Sequence, residues 1–119
     1  MKLSIIRIID RGITSKERLY LKALNDINLS YYLVLSTDYS SPTALSVGGK
    51  SAYWFSPKSL KAGDSVVLYT CGGKASETKN SDGTTTYFLY WGWASPLWNA
   101  TGKCAVVMEL SNWMTSQYE

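Results

Sequence analysis

The chain has 119 residues and not one histidine. That absence removes Ser-His and Cys-His nucleophilic pairs. It also removes the commonest neutral-pH metal ligand. Cysteine is nearly absent too. Cys71 and Cys104 stand far apart, without C-x-x-C spacing, so a zinc site would lack its usual four nitrogen and sulfur ligands. Carboxylates number nine, and Asp10, Asp26, Asp38, Asp64 and Asp82 stand in turn-like sequence, where the side chain serves the local backbone. There is no P-loop and no G-x-G-x-x-G. Gly72-Gly73-Lys74 reads as the base of a loop rather than an anion cradle. These absences exclude the common catalytic constellations, so the expectation is a protein that is not an enzyme, with no catalytic residues, no metal and no cofactor. Long apolar runs are missing as well. Lys2 and Arg7 interrupt the first one too early for a signal peptide. No stretch reaches the length of a membrane span. The expected compartment is therefore cytoplasmic, with two reduced thiols behaving as small hydrophobes. A disulfide stays open as the alternative, since both cysteines fall at strand ends. Asn28-Leu29-Ser30 and Asn99-Ala100-Thr101 fit the glycosylation pattern, but without an export signal they read as coincidence.

What the chain does have is aromatic and extended. Tyr occurs nine times and Trp five, against two Phe. Such rings suit sandwich cores and binding surfaces alike. The net charge of +3 is unevenly spread. Residues 1–22 hold six basic side chains against Asp10 and Glu17; the remainder is close to neutral. Arg7, Arg11, Lys16 and Arg18 form a basic strip suited to nucleic acid. The plainer reading of the same charges is that they guard edge strands.

Lys2–Ile9 is rich in β-branched residues and ends at an Asp10-Arg11-Gly12 turn. Arg18–Leu24 alternates cleanly, with Leu19, Leu21 and Ala23 on one face and Arg18, Tyr20 and Lys22 on the other. After an Asn/Asp turn, Leu29–Thr37 reads as a central strand. Asp38–Pro42 reads as loop. Thr43–Val47 is a short strand, interrupted by Gly48-Gly49-Lys50, and Ser51–Phe55 continues extended until Pro57. Lys61-Ala62-Gly63-Asp64 is a tight turn. Ser65–Thr70 is a strand. Gly72–Thr84 is a long polar loop carrying an Asp82-Gly83 hairpin signal. Thr85–Trp93 and Lys103–Leu110 are the last strands. Trp91 and Trp93 should then share one face, with Gly92 opposite. Two Trp on one face, with Trp54, Trp98 and Trp113 elsewhere, exceed what a small core holds, so one or two should be exposed. The sum is an all-β, immunoglobulin-like β-sandwich of about seven to nine strands. It forms one domain over residues 1–119, with Ser111–Glu119 as a tail.

The second half resembles the lamin-tail domain, an immunoglobulin-like module. The resemblance rests on Ser59-Leu60-Lys61-Ala62-Gly63-Asp64-Ser65-Val66-Val67-Leu68-Tyr69, on Tyr90-Trp91-Gly92-Trp93, and on Trp98-Asn99-Ala100-Thr101-Gly102 leading into Cys104-Ala105-Val106-Val107-Met108. It extends upstream to about residue 17, where a strand, an Asn/Asp turn and Leu-Ser precede an aromatic strand. Tyr31 and Tyr32 stand near the family's usual Gly-Trp pair, and Lys103 where members often carry an acid. These motifs are turn and core signatures, so they imply a fold more than a function.

The leading functional expectation is a non-catalytic, protein-binding module. It would be a stand-alone adaptor or inhibitor, in one version a phage-encoded antagonist of a host system, docking its partner through Tyr90, Trp93 and Trp98 or through a sheet edge. The first alternative is a nucleic-acid-binding domain using Arg7, Arg11, Lys16 and Arg18. The resemblance adds to that alternative, since lamin-tail domains have been linked to DNA. The second is a small-ligand-binding β-sandwich whose aromatics stack on sugar or nucleotide rings. Open edge strands leave a homodimer open in every case.

Overall fold

The computed structural model describes residues 1–41, 43–46 and 51–117. The Gly48-Gly49-Lys50 interruption, with Pro42 and Val47, lies outside the described residues, as do Tyr118 and Glu119 of the tail. The fold is all-β and sandwich-like. Its elements are β1 (Leu3–Ile9), β2 (Arg18–Ala23), β3 (Ile27–Asn28), a 3-10 turn (Leu29–Tyr31), β4 (Tyr32–Ser41), β5 (Ala44–Leu45), β6 (Ser51–Trp54), β7 (Ser59–Leu60), β8 (Ser65–Tyr69), β9 (Ser76–Lys79), β10 (Thr85–Tyr90) and β11 (Lys103–Glu109). That exceeds the expected number of strands because several are only two residues long.

The first sheet runs β1-β2-β8-β10-β9. β2 alternates as its sequence expects, burying Leu19, Leu21 and Ala23. β8 is buried along most of its length, which suits a strand in the middle of the sheet. β8 and β10 pair in parallel, with Val66 opposite Tyr87 and Leu68 opposite Leu89. The long polar loop makes this arrangement. It contains β9, which pairs antiparallel with β10 on the far side. Two carboxylates fix its returning end. Asp64 accepts from Lys61 N and Thr85 N, both at 2.9 Å, joining the turn before β8 to the start of β10. Asp82 accepts from the backbone N and the hydroxyl of Thr84. Those bonds, the hydroxyl first, hold its carboxyl below the usual range.

The second sheet is built on β4. β11 pairs along one side, Lys103 opposite Asp38 through Glu109 opposite Tyr32. β6 pairs the other side, Leu33 opposite Trp54 through Ser36 opposite Ser51, and β5 follows at Tyr39 and Ser41. β4 therefore runs through the polar residues expected to be loop. Asp38 and Tyr39 are held because both neighbours supply partners: Tyr39 N donates to Gly102 O and Ser46 N donates to Asp38 O.

The core lies between the sheets. Leu3, Leu19, Leu21, Val66 and Leu68 face Tyr32, Val34 and Phe55, with Leu29, Leu60 and Trp98 closing its ends. Burying each Leu contributes about 1.5–3 kcal/mol. Among the described residues, no helix is long and apolar enough to cross a membrane.

Candidate interaction face

β4 has apolar residues in both registers of its alternation. Tyr32 and Val34 point into the core. Leu33 and Leu35 must then point out of the sandwich. Their neighbours follow from the pairing. Leu33 stands between Trp54 on β6 and Met108 on β11, and Leu35 between Ala52 and Val106. The opposite parity on the flanking strands, Tyr53, Ala105 and Val107, packs against the core, while Leu33, Leu35 and Val106 do not join it. The outer surface of the second sheet thus carries two apolar cross-strand rows, Trp54-Leu33-Met108 and Ala52-Leu35-Val106, and beyond them Thr37 opposite Cys104, where Thr37 is buried and donates to Ser46 O. A solvated antiparallel sheet would be polar on that side. This one has no charged side chain in either row.

An aromatic cluster extends the face at the end where β4 begins. Trp54 is 49% exposed and Trp113 is 57% exposed. Their rings meet edge to face at 5.0 Å. Trp54 Nε1 donates to Ser30 O at 2.8 Å, which fixes the ring beside Tyr31. Leu110 N donates to Tyr31 O, bringing the chain after β11 back across the start of β4 and carrying Trp113 with it. Beside these rings lies an open cleft of about 490 Å³ whose lining includes Tyr31, Trp54, Pro57 and Trp113, with no charged residue.

The residues expected at a protein-binding site fall elsewhere. Trp98 is only 1% exposed, and so is a core residue rather than a surface anchor. Glu17 sets its position. That carboxylate is itself buried and accepts from Gly12 N at 2.8 Å, Leu97 N at 2.7 Å and Trp98 N at 3.0 Å. The indole Nε1 donates to Cys104 O, and the ring meets Trp91 edge-on. Trp91 and Trp93 do not share a face. β10 ends at Tyr90, and Gly92 adopts φ +96°, which breaks the alternation. Trp91 turns inward to Tyr53 and Trp98, while Trp93 is 42% exposed beside Thr70, whose carbonyl accepts its backbone N–H. Tyr90 is half-buried and stacks on Tyr69 at 5.0 Å and 12°. Gly73 packs flat against the Tyr90 ring, where a Cβ would sit 2.5 Å from ring carbons.

The basic strip gathers at one corner of the first sheet. Arg18 pairs with Asp10 at 2.8 Å, donates to Lys16 O and lies over the Tyr69 ring. Arg11 donates to Lys103 O. Arg7 and Lys16 are exposed. Arg18 and Arg11 thus hold strand ends together, a role the charge count alone does not reveal. Cys71 and Cys104 are free thiols, both half-buried. Burial, with Asp38 adding to it against Arg11, pushes the Cys104 thiol up. Among the described residues, no three His, Cys, Asp or Glu side chains come together in a way that would hold a metal ion.

Sequence reasoning passed over Trp54, Trp113, Tyr31, Leu33 and Met108 as site residues. The signal was there in the unbroken apolar runs of β4 and β11, which leave no polar side for solvent. No protein-family model matches the chain, and no curated protein matches it.

Proposed function

We propose that the chain is a non-catalytic protein-binding module: an adaptor or inhibitor, built on a lamin-tail-like, immunoglobulin-like sandwich, that docks its partner through the outer face of the second sheet. One observation carries this reading. Both faces of that sheet are apolar, and the outer one stays open to solvent at Ala52, Trp54 and Met108, with Leu33, Leu35 and Val106 half-buried between them. A contiguous apolar face ending in exposed aromatics has the composition of an interface centre, where Trp, Tyr and Met are enriched and charge is depleted. Trp93 stays outside this proposal because it stands at the end of the first sheet.

The test is a binding comparison on the native partner, once captured by cross-linking. Met108→Glu puts a charge at an exposed position of the face, so the fold should hold while affinity falls at least about tenfold, equivalent to about 1.4 kcal/mol. Unchanged affinity in Met108→Glu, together with a loss in Trp93→Ala, would move the site to the first sheet and refute the assignment.

A further inference from the structure

We propose that the partner of this face is a second copy of the same chain, packed sheet on sheet about a two-fold axis. The proposal rests on the reading of the outer face as a docking surface. Three features of the face select this occupant.

The first is shape. One row is large, Trp54-Leu33-Met108, and the next is small, Ala52-Leu35-Val106. A two-fold axis lying across the strands, between the rows, reverses strand direction and keeps strand order. It sets β6 on β6, β4 on β4 and β11 on β11. Trp54 of one copy then overlies Ala52 of the other, Leu33 overlies Leu35, and Met108 overlies Val106. Large meets small at the two flanking positions, Leu meets Leu between them, and each contact occurs twice, as an isologous interface requires. Sheet twist leaves the strands of the two copies within about 30° at roughly 10 Å separation, the ordinary geometry of stacked sheets.

The second is charge. Each copy carries +3, so association must avoid setting like charges against each other. The rows have none. Lys103 and Glu109, at the two ends of β11, belong to its inward parity, paired with Asp38 and Tyr32, so neither charge stands in the rows.

The third is area. Tyr31, Trp54 and Trp113, each about half exposed, contribute on the order of 100 Å² apiece. With the two rows, the face reaches several hundred Å² per copy, the scale of the ~800 Å² that each partner buries in a standard stable interface.

The experiment is sedimentation equilibrium of the full chain over a wide concentration range, beside Ala52→Glu. Ala52 is exposed, so the variant should keep the far-UV spectrum and melting temperature of the parent. The expected result is a concentration-dependent dimer whose dissociation constant rises at least about tenfold in Ala52→Glu, where each new carboxylate lies beneath the other copy's Trp54. A dimer unchanged by Ala52→Glu but lost in Ile6→Lys would put the contact on the β1 edge and overturn the proposal. A monomer at every concentration also overturns it. In that case, capture of a different protein that is sensitive to Ala52→Glu keeps the docking face and removes only the second copy. No sensitive partner at all removes both.

Discussion

Glu17 shows how one side chain can organise a corner of the molecule. Its two oxygens accept three backbone N–H groups, from Gly12, Leu97 and Trp98, in a place without water access. Nothing in the sequence around it reports this, because its partners lie 80 and 81 residues away as well as locally. Glu17→Gln keeps the shape but turns one acceptor into a donor that faces an N–H. The expected loss is about 1–3 kcal/mol, read from urea unfolding. An unchanged midpoint would show that the bonds contribute nothing net. Trp98 belongs to the same corner. Its ring is enclosed, so Trp98→Ala should cost about 3–5 kcal/mol. The sequence put it among the docking aromatics because five Trp exceed what a small core holds, and a count does not tell which of them is enclosed. Asn99 is exposed, but the residue before it is pulled inward by a carboxylate that local reading cannot connect to it.

At the level of elements, strands with one clear alternation were legible and those decided by distant partners were not. β1, β2, β8 and β11 fall within a residue of their expected limits, since β-branched runs and turn residues bound them. β4 outlasts its expected end because β5 and the chain before β11 pair with residues that look like loop. β10 stops early because Gly92 takes a positive φ. The parallel pairing of β8 with β10 depends on where the loop returns, which no local pattern encodes. The outer rows were visible only as apolar runs, with no indication that one side stays open to solvent. The core beneath the second sheet and that sheet's outer row should respond differently to substitution. Leu68 opposite it is fully enclosed, so Leu68→Ala should cost about 2–5 kcal/mol. Met108 is 41% exposed on the outer row, and Met108→Gln should stay within about 0.5 kcal/mol of the parent monomer. A large loss in Met108→Gln would mean that the outer row is part of the monomer core.

For the whole molecule, the inner surface of the second sheet ties stability to alkaline pH. Tyr32 is enclosed between the sheets, and its hydroxyl donates to Glu109 Oε1 at 2.9 Å. Burial first, then the bond to Glu109 and its negative charge, push the Tyr32 hydroxyl up to about 12 from an ordinary 10.0. The neutral form is therefore favoured by the fold. Its contribution is fully present below the unfolded value near 10 and is lost as pH rises through the folded value near 12. Within that window stability should fall by about 1.4 kcal/mol per pH unit on account of this group. Tyr53 and Tyr87 are shifted the same way by burial, so the parent chain should show a steeper total slope. Tyr32→Phe isolates the one component. It removes the ionisable hydroxyl and leaves Glu109, which is exposed, to be satisfied by water. Urea unfolding at successive pH values above 9 should therefore give a shallower decline in Tyr32→Phe than in the parent, while the two differ little in slope below 9. Parallel curves throughout would place the alkaline sensitivity in the other two tyrosines and remove Tyr32 from the account.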